Sequence, residues 1–104
     1  MMATPLQLST HRRDDGRLVL AAVGELDLSN IEVFSSALRD AAAGADGTPL
    51  RVDLTAVEYL DSGAINVLFD HAESIDLVVN PMLLPVLTVS GLTEVVTVKP
   101  GPDS

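Results

Sequence analysis

The first quarter of the chain alternates apolar and polar residues and then turns. Residues 6–10 place Leu6 and Leu8 at alternate positions, which is the period-2 pattern of a half-buried strand. The next residues include Asp14-Asp15-Gly16, and an Asp-Gly pair before a second apolar run predicts a hairpin. That run covers residues 17–23, so the fold is predicted to begin with two antiparallel strands.

The following segment changes to helical periodicity. Apolar side chains recur at spacings of three and four, at Ile31, Phe34, Leu38 and Ala41. This spacing places them on one face of a helix. Ser29 or Asn30 can cap its start, and Gly44 together with the cluster at residues 46–49 ends it.

A strand and a second helix are predicted in the middle of the chain. Residues 50–54 carry Leu, Val and Leu at alternate places and predict a strand, and residues 55–60 are interpreted as a loop. A second apolar stripe at helical period then follows at Ala64, Ile65, Leu68 and Phe69. Ser62 or Asp61 is the natural cap of this helix.

The last third of the chain predicts a strand, a helix and a strand. Residues 77–79 are a buried strand, and its connection through a helix implies parallel pairing. A short helix within residues 83–89 is expected to start near Leu84, because an earlier start would place Pro85 in the helix interior. Ser90-Gly91 closes this helix, and residues 94–98 are predicted as the final strand.

The length and the apolar composition favour one α/β domain. The chain has 104 residues, of which 47% are apolar and only 3% aromatic. A core made of Val, Leu, Ile and Ala is typical of strands covered by helices on their faces. We therefore predict a single domain over residues 5–99, with a mixed sheet of four or five strands, interspersed helices, and flexible tails at residues 1–4 and 100–104.

Charge and residue usage exclude several classes of function. Six basic groups against fifteen acidic ones give a net charge of -9, which disfavours nucleic acid and anionic lipid surfaces. Cysteine is absent and only His11 and His71 offer imidazole, so no metal site or cofactor is predicted. The apolar run at residues 18–23 is too short to span a bilayer, and no signal peptide is apparent. We expect a cytoplasmic protein without direct membrane insertion.

Three segments together resemble the STAS domain of bacterial anti-sigma factor antagonists. They are Gly24-Glu25-Leu26-Asp27, the run from Val52 to Gly63 that contains Glu58-Tyr59-Leu60-Asp61-Ser62, and Ser90-Gly91-Leu92. The middle segment is the most specific, because it joins a strand, an acidic-aromatic loop and an Asp-Ser pair at a helix start in unbroken register. The resemblance covers roughly residues 6–98.

The resemblance implies a regulated binding protein. In that family the serine after the aspartate, here Ser62, is phosphorylated by the anti-sigma factor, a serine kinase of the GHKL type, and a PPM-type phosphatase reverses the reaction. The unphosphorylated form binds the anti-sigma factor and frees the sigma factor. Partner contact is expected at the acidic motif and the helix start, at Glu25, Asp27, Asp61, Gly63, Ala64 and Asn66.

The chain departs from the family pattern at the helix start and at the C-terminus. The family usually has Ser or Thr at the position of Gly63, Gly at that of Ala64 and often Gly at that of Asn66. The helix start is therefore bulkier here. A further helix commonly ends the family's fold, whereas here no helical pattern follows residue 98, which leaves a homodimer open.

Two functional alternatives remain at this point. No Ser-His-Asp arrangement or glycine-rich phosphate loop is apparent, so no catalytic residue and no enzyme activity are predicted. The first alternative is the phosphorylation-controlled antagonist. The second is a non-catalytic STAS subunit that binds the ATPase of a lipid-transport ABC complex.

Overall fold

The computed structural model describes residues 6–45 and 47–101 as five strands, three α-helices and three short 3₁₀ turns. The strands are β1 (Gln7–Arg12), β2 (Leu18–Leu26), β3 (Leu50–Leu60), β4 (Ile75–Val79) and β5 (Val98–Pro100). The helices are α1 (Ile31–Ala43), α2 (Ser62–Asp70) and α3 (Leu84–Ser90), and the 3₁₀ turns are Ala72–Ser74, Pro81–Leu83 and Leu92–Glu94. The predicted α/β class is confirmed. The predicted tail at residues 1–4 lies outside the described residues.

The five strands form one mixed sheet in the order β1-β2-β3-β4-β5. β1 pairs antiparallel with β2, and every later neighbour pairs in parallel. Each parallel connection runs through a helix and moves the chain one strand further in the same direction. Because such crossovers are right-handed, the three helices lie on the same face of the sheet.

The hairpin at the start of the fold is confirmed. The N–H of Gly16 donates to the carbonyl of Arg13 at 2.9 Å, and the N–H of Arg13 donates to the carbonyl of Arg17 at 2.8 Å. The backbone N–H of Arg17 also donates to Oδ1 of Asp15, and this bond lowers the pKa of the exposed Asp15 carboxyl below its usual value.

The core lies between the helices and one face of the sheet. Phe34, Leu38 and Leu68 from the helices are fully buried against alternate strand positions such as Val52 and Leu77. The intervening positions are half-buried and polar, as in Arg51, Asp53 and Asp76. The predicted cover of the strands by helices is therefore found on one face, the face that carries most of the large apolar side chains.

β3 is six residues longer than predicted, since residues 55–60 form strand instead of loop. These residues continue the pairing with β2, where Gly24 is the partner of Val57 and Leu26 the partner of Leu60. Two irregularities each insert one extra residue into β3. The buried positions consequently run 50, 52, 54, 57 and 60, and the strict alternation that identifies a strand is lost after residue 54.

The C-terminal third contains one confirmed element and two corrected ones. α3 begins at Leu84 as predicted, and Gly91 ends it with a φ of 88°. The last strand is Val98–Pro100 and not residues 94–98, because Leu92–Glu94 first forms a 3₁₀ turn. Of the tail predicted at residues 100–104, the first two residues belong to the folded domain, and residues 102–104 lie outside the described residues. Pro100 ends β5, and the N–H of Gly101 donates to the carbonyl of Val79 at 2.7 Å.

Candidate functional site

Three loops follow the carboxyl ends of the parallel strands β2, β3 and β4. They are residues 27–30 after β2, residue 61 and the start of α2 after β3, and residues 80–83 after β4. The first two loops are joined directly, because the N–H of Asp61 donates to the carbonyl of Leu26 at 3.1 Å. The acidic motif and the Asp-Ser pair therefore lie at the same end of the sheet. We call this region the carboxyl edge.

Asp61 caps α2 and leaves Ser62 exposed. Oδ1 of Asp61 accepts the N–H of Ala64 at 3.0 Å, and its carbonyl accepts the N–H of Ile65 at 3.2 Å. Of the two predicted caps, Asp61 is therefore the one that the structure uses. Ser62 is the first residue of the helix, and its side chain lies at the surface. The first N–H groups of a helix have no acceptor within the helix, and here Asp61 already accepts the N–H of Ala64.

The acidic motif after β2 folds into a compact polar loop. Asp27 is not a helix cap, since its Oδ1 accepts the N–H of Ser29 at 2.9 Å and also accepts the Ser29 hydroxyl. Asn30 occupies the cap position of α1, but its amide instead donates to the carbonyl of Glu25 at 2.8 Å and accepts the N–H of Asp27 at 3.1 Å. These bonds hold Glu25 and Asp27 in a fixed arrangement beside the Asp61 loop.

The three other predicted contact residues differ in their exposure. Asn66 is exposed and Gly63 half-buried, whereas the side chain of Ala64 is fully buried. Ala64 therefore cannot meet a partner directly, and we leave it out of the proposed contact surface. A side chain at Gly63 would come within 3.3 Å of both Asp61 Oδ1 and Leu28 Cδ2, so the glycine allows Leu28 to lie against the helix start.

Apolar side chains at the carboxyl edge were missed by the sequence reasoning. Leu28 is 77% exposed, Tyr59 50% and Met82 64%, and each belongs to one of the strand ends or loops at this edge. Exposed large apolar and aromatic groups close to a polar centre are typical of protein contact surfaces. The sequence did contain one sign of this apolar surface, because Leu28 is an apolar residue within the otherwise polar segment Asp27-Leu28-Ser29-Asn30.

The carboxyl edge carries negative charge. Glu25, Asp27, Glu58 and Asp61 lie at or beside it, whereas the sequence has no Lys or Arg between Arg51 and Lys99. Open α/β sheets bind small ligands in the crevice where the strand order reverses, and the order of this sheet never reverses. The arrangement therefore favours contact with a macromolecule over a ligand pocket.

The fold and the site together define a small α/β domain that presents a serine at an acidic, partly apolar loop edge. The family model described as "Mlab, STAS domain" matches residues 9–97. The chain therefore belongs to the STAS domain family, which confirms the resemblance. No curated protein matches it. Among the residues that the structure describes, no helix has the length and apolar character needed to cross a bilayer.

Solved structures share this fold at low sequence identity. An anti-sigma factor antagonist from Mycobacterium paratuberculosis is 24% identical with a TM-score of 0.81, over 93% of this chain and 87% of that one. The anti-sigma factor antagonist SpoIIAA in its unphosphorylated form is 18% identical with a TM-score of 0.66, over 95% and 90%. The Bacillus cell fate determinant SpoIIAA in the phosphorylated form is 18% identical with a TM-score of 0.59, over 95% and 93%.

Proposed function

We propose that this chain is an anti-sigma factor antagonist of the cytoplasm, controlled by phosphorylation of Ser62. Its partner is an anti-sigma factor that is also a serine kinase of the GHKL type, and binding releases a sigma factor. A PPM-type phosphatase restores the active form. The observation that carries the proposal is the exposed Ser62 side chain at the first residue of α2, beside the capping Asp61. The chain itself acts by binding and catalyses no reaction.

The charges at the carboxyl edge explain how a phosphate would end binding. Phosphorylation adds about -1.5 to -2 charges, and the N-terminus of a helix offsets this by about 0.3 to 1 kcal/mol. Asp61 repels the phosphate, and the described loops at this edge offer no Lys or Arg to neutralise it. A partner surface packed against a neutral hydroxyl would then bury an unpaired charge, which costs about 3 to 5 kcal/mol.

The proposed contact surface surrounds Ser62. It includes Asp61, Gly63 and Asn66 on the α2 side, and Glu25 and Asp27 from the loop after β2. Apolar contact comes from the Leu28 side chain, which packs against the helix start at Gly63. Because this surface is acidic, we expect its partner to present basic groups around an apolar centre.

The test is phosphorylation of the purified chain by candidate anti-sigma kinases with ATP, followed by intact-mass measurement and peptide mapping. We expect one added phosphate, located on Ser62, and none in Ser62→Ala. The matched control is Ser36→Ala, which removes an exposed serine from α1 away from the carboxyl edge and should leave phosphorylation unchanged. Ser62→Ala should still bind the kinase, and its binding should no longer respond to ATP.

Two results would contradict the proposal. Phosphate in the Ser62→Ala protein would show that another residue is the acceptor. Absence of phosphorylation by every kinase tested, together with stable capture of a transporter ATPase, would favour the alternative of a non-catalytic subunit of a lipid-transport ABC complex.

A further inference from the structure

Within residues 6–45 and 47–101, no helix lies on the second face of the sheet. The residues on this open face follow from the strand register. One row across the strands contains His11, Val19, Arg51 and Asp76, the next contains Ser9, Ala21, Asp53, Val78 and Lys99, a third contains Gln7, Val23 and Ala56, and the last contains Glu25 and Tyr59. Val19 is only 3% exposed although it lies outside the main core cluster, so the neighbouring side chains already cover part of this face.

The two ends of the open face carry opposite charge. His11, Arg13, Arg51 and Asp53 line a shallow concavity at the end where the parallel strands begin, and at this end Arg13, Arg17 and Arg51 outnumber Asp53 and Asp76. Glu25 and Tyr59 lie at the other end, six residues further along β2. Between the two ends the side chains on β2 are small or apolar, and Val23 is 44% exposed.

Most of the charge within this face is paired inside the chain. Arg17 and Arg51 both bind the Asp76 carboxylate, the latter at 3.5 Å. Oδ1 of Asp53 accepts the N–H of Thr55 at 2.9 Å and its hydroxyl at 2.7 Å. Removing paired and hydrogen-bonded charges from water costs less free energy than removing unpaired charges. A binding partner can therefore cover this face.

We propose that the open face binds a second copy of this chain, face to face and with the strands antiparallel about a two-fold axis. Such an axis, passing between the rows of Ala21 and Val23, places the row of Arg51 over the row of Glu25 and Tyr59 of the other copy. The same contact then occurs twice, as an isologous interface requires. An arginine can meet both a carboxylate and an aromatic ring in that position.

The size of the face predicts a weak dimer. From Val19 to Glu25 the face extends about 20 Å along the strands, and four strands span a similar width. About 400 Å² per copy belongs to the class of transient interfaces. The net charge of -9 on each copy also opposes association, so the dimer depends on the complementary ends of the face. Ser62 lies at the start of α2, on the helix side, and the open face shares Glu25 with the contact surface proposed around Ser62.

The test is sedimentation velocity of the full chain over a range of protein concentrations, with circular dichroism to check the fold. We expect a reversible monomer–dimer equilibrium in the unmodified protein. Val23→Asp, which buries a charge in the centre of the face, should weaken dimerisation at least about tenfold. Its matched control is Val33→Asp on α1, at a position 61% exposed on the helix side, which should leave the equilibrium unchanged.

A second pair of variants separates local contacts from net charge. Glu25→Arg and Glu32→Arg change the net charge equally, and both reduce the repulsion between copies. Glu25→Arg should nevertheless weaken the dimer, because it sets an arginine against Arg51, whereas Glu32→Arg on α1 should leave it unchanged or slightly stronger. A protein that stays monomeric at every concentration would overturn the proposal, and so would equal effects within either pair of variants.

Discussion

At the scale of single residues, the structure assigns the capping of α2 and the exposed hydroxyl to two different residues, which the sequence alone did not distinguish. Either Asp61 or Ser62 could cap α2 by residue type, and the structure assigns the cap to the Asp61 carboxylate through its bond to the Ala64 N–H. Ser62 is therefore exposed and does not cap the helix. This is the arrangement that a modification site needs, because the hydroxyl can change its chemistry without removing the cap.

This division of roles predicts the stability of two variants. Asp61→Ala should lower the free energy of unfolding by about 1 kcal/mol, because the N–H of Ala64 loses its acceptor. Asp61→Asn retains an acceptor and should lose less, and Ser62→Ala should stay within about 0.5 kcal/mol of the unmodified protein. Urea unfolding followed by circular dichroism measures all three. A loss in Ser62→Ala as large as that in Asp61→Ala would show that the hydroxyl supports the helix.

At the scale of elements, predictions succeeded where the hydrophobic period was regular. α1 and α3 begin within one residue of their predicted starts, since the apolar residues of α1 keep helical spacing and Pro85 fixes where α3 can begin. The predicted third strand ended too early, at residue 54, because each inserted residue shifts the buried side chains by one position. A strictly alternating pattern of apolar residues cannot predict such a shift. Such irregularities depend on the neighbouring strand, and the sequence of β3 alone contains no sign of them.

One of these irregularities lies close to Gly101. Thr55 lies at the first inserted position of β3, and a Cβ on Gly101 would come within 2.2 Å of its Cγ2. Gly101→Ala should therefore destabilise the fold by about 1 to 3 kcal/mol. Thr55→Ser removes the clashing methyl group, so the double variant should recover part of the loss. Urea unfolding of the two single variants and the double variant measures this coupling, and strict additivity would argue against the clash.

At the scale of the whole molecule, the order of the strands decides where function can lie. Three successive crossovers in one direction leave one sheet face open and provide no crevice at the carboxyl edge. The one-sided sheet could be inferred from the sequence, because Arg51, Asp53 and Asp76 alternate with apolar residues along β3 and β4, whereas the composition predicted helical cover without distinguishing the two faces. The exposure of Tyr59 was not available, since it depends on how the ends of β2 and β3 pair.

The same architecture predicts that phosphorylation changes binding and leaves folding intact. At about 5 Å and an effective dielectric between 20 and 80, repulsion between the phosphate and Asp61 is of order 1 to 3 kcal/mol, reduced by salt and by the positive end of α2. The core of the sheet lies beneath α2 and does not contact an exposed serine side chain. The free energy of unfolding should therefore fall by less than about 2 kcal/mol.

Affinity for the kinase partner should respond far more strongly, because there the phosphate replaces a neutral hydroxyl in a water-excluded contact. A loss of at least about a hundredfold corresponds to about 2.8 kcal/mol, less than the usual cost of an unpaired buried charge. Urea unfolding and titration calorimetry of the same phosphorylated preparation compare the two effects. A phosphorylated protein that binds normally, or one that unfolds before it loses affinity, would show that Ser62 does not act as a switch of the contact surface.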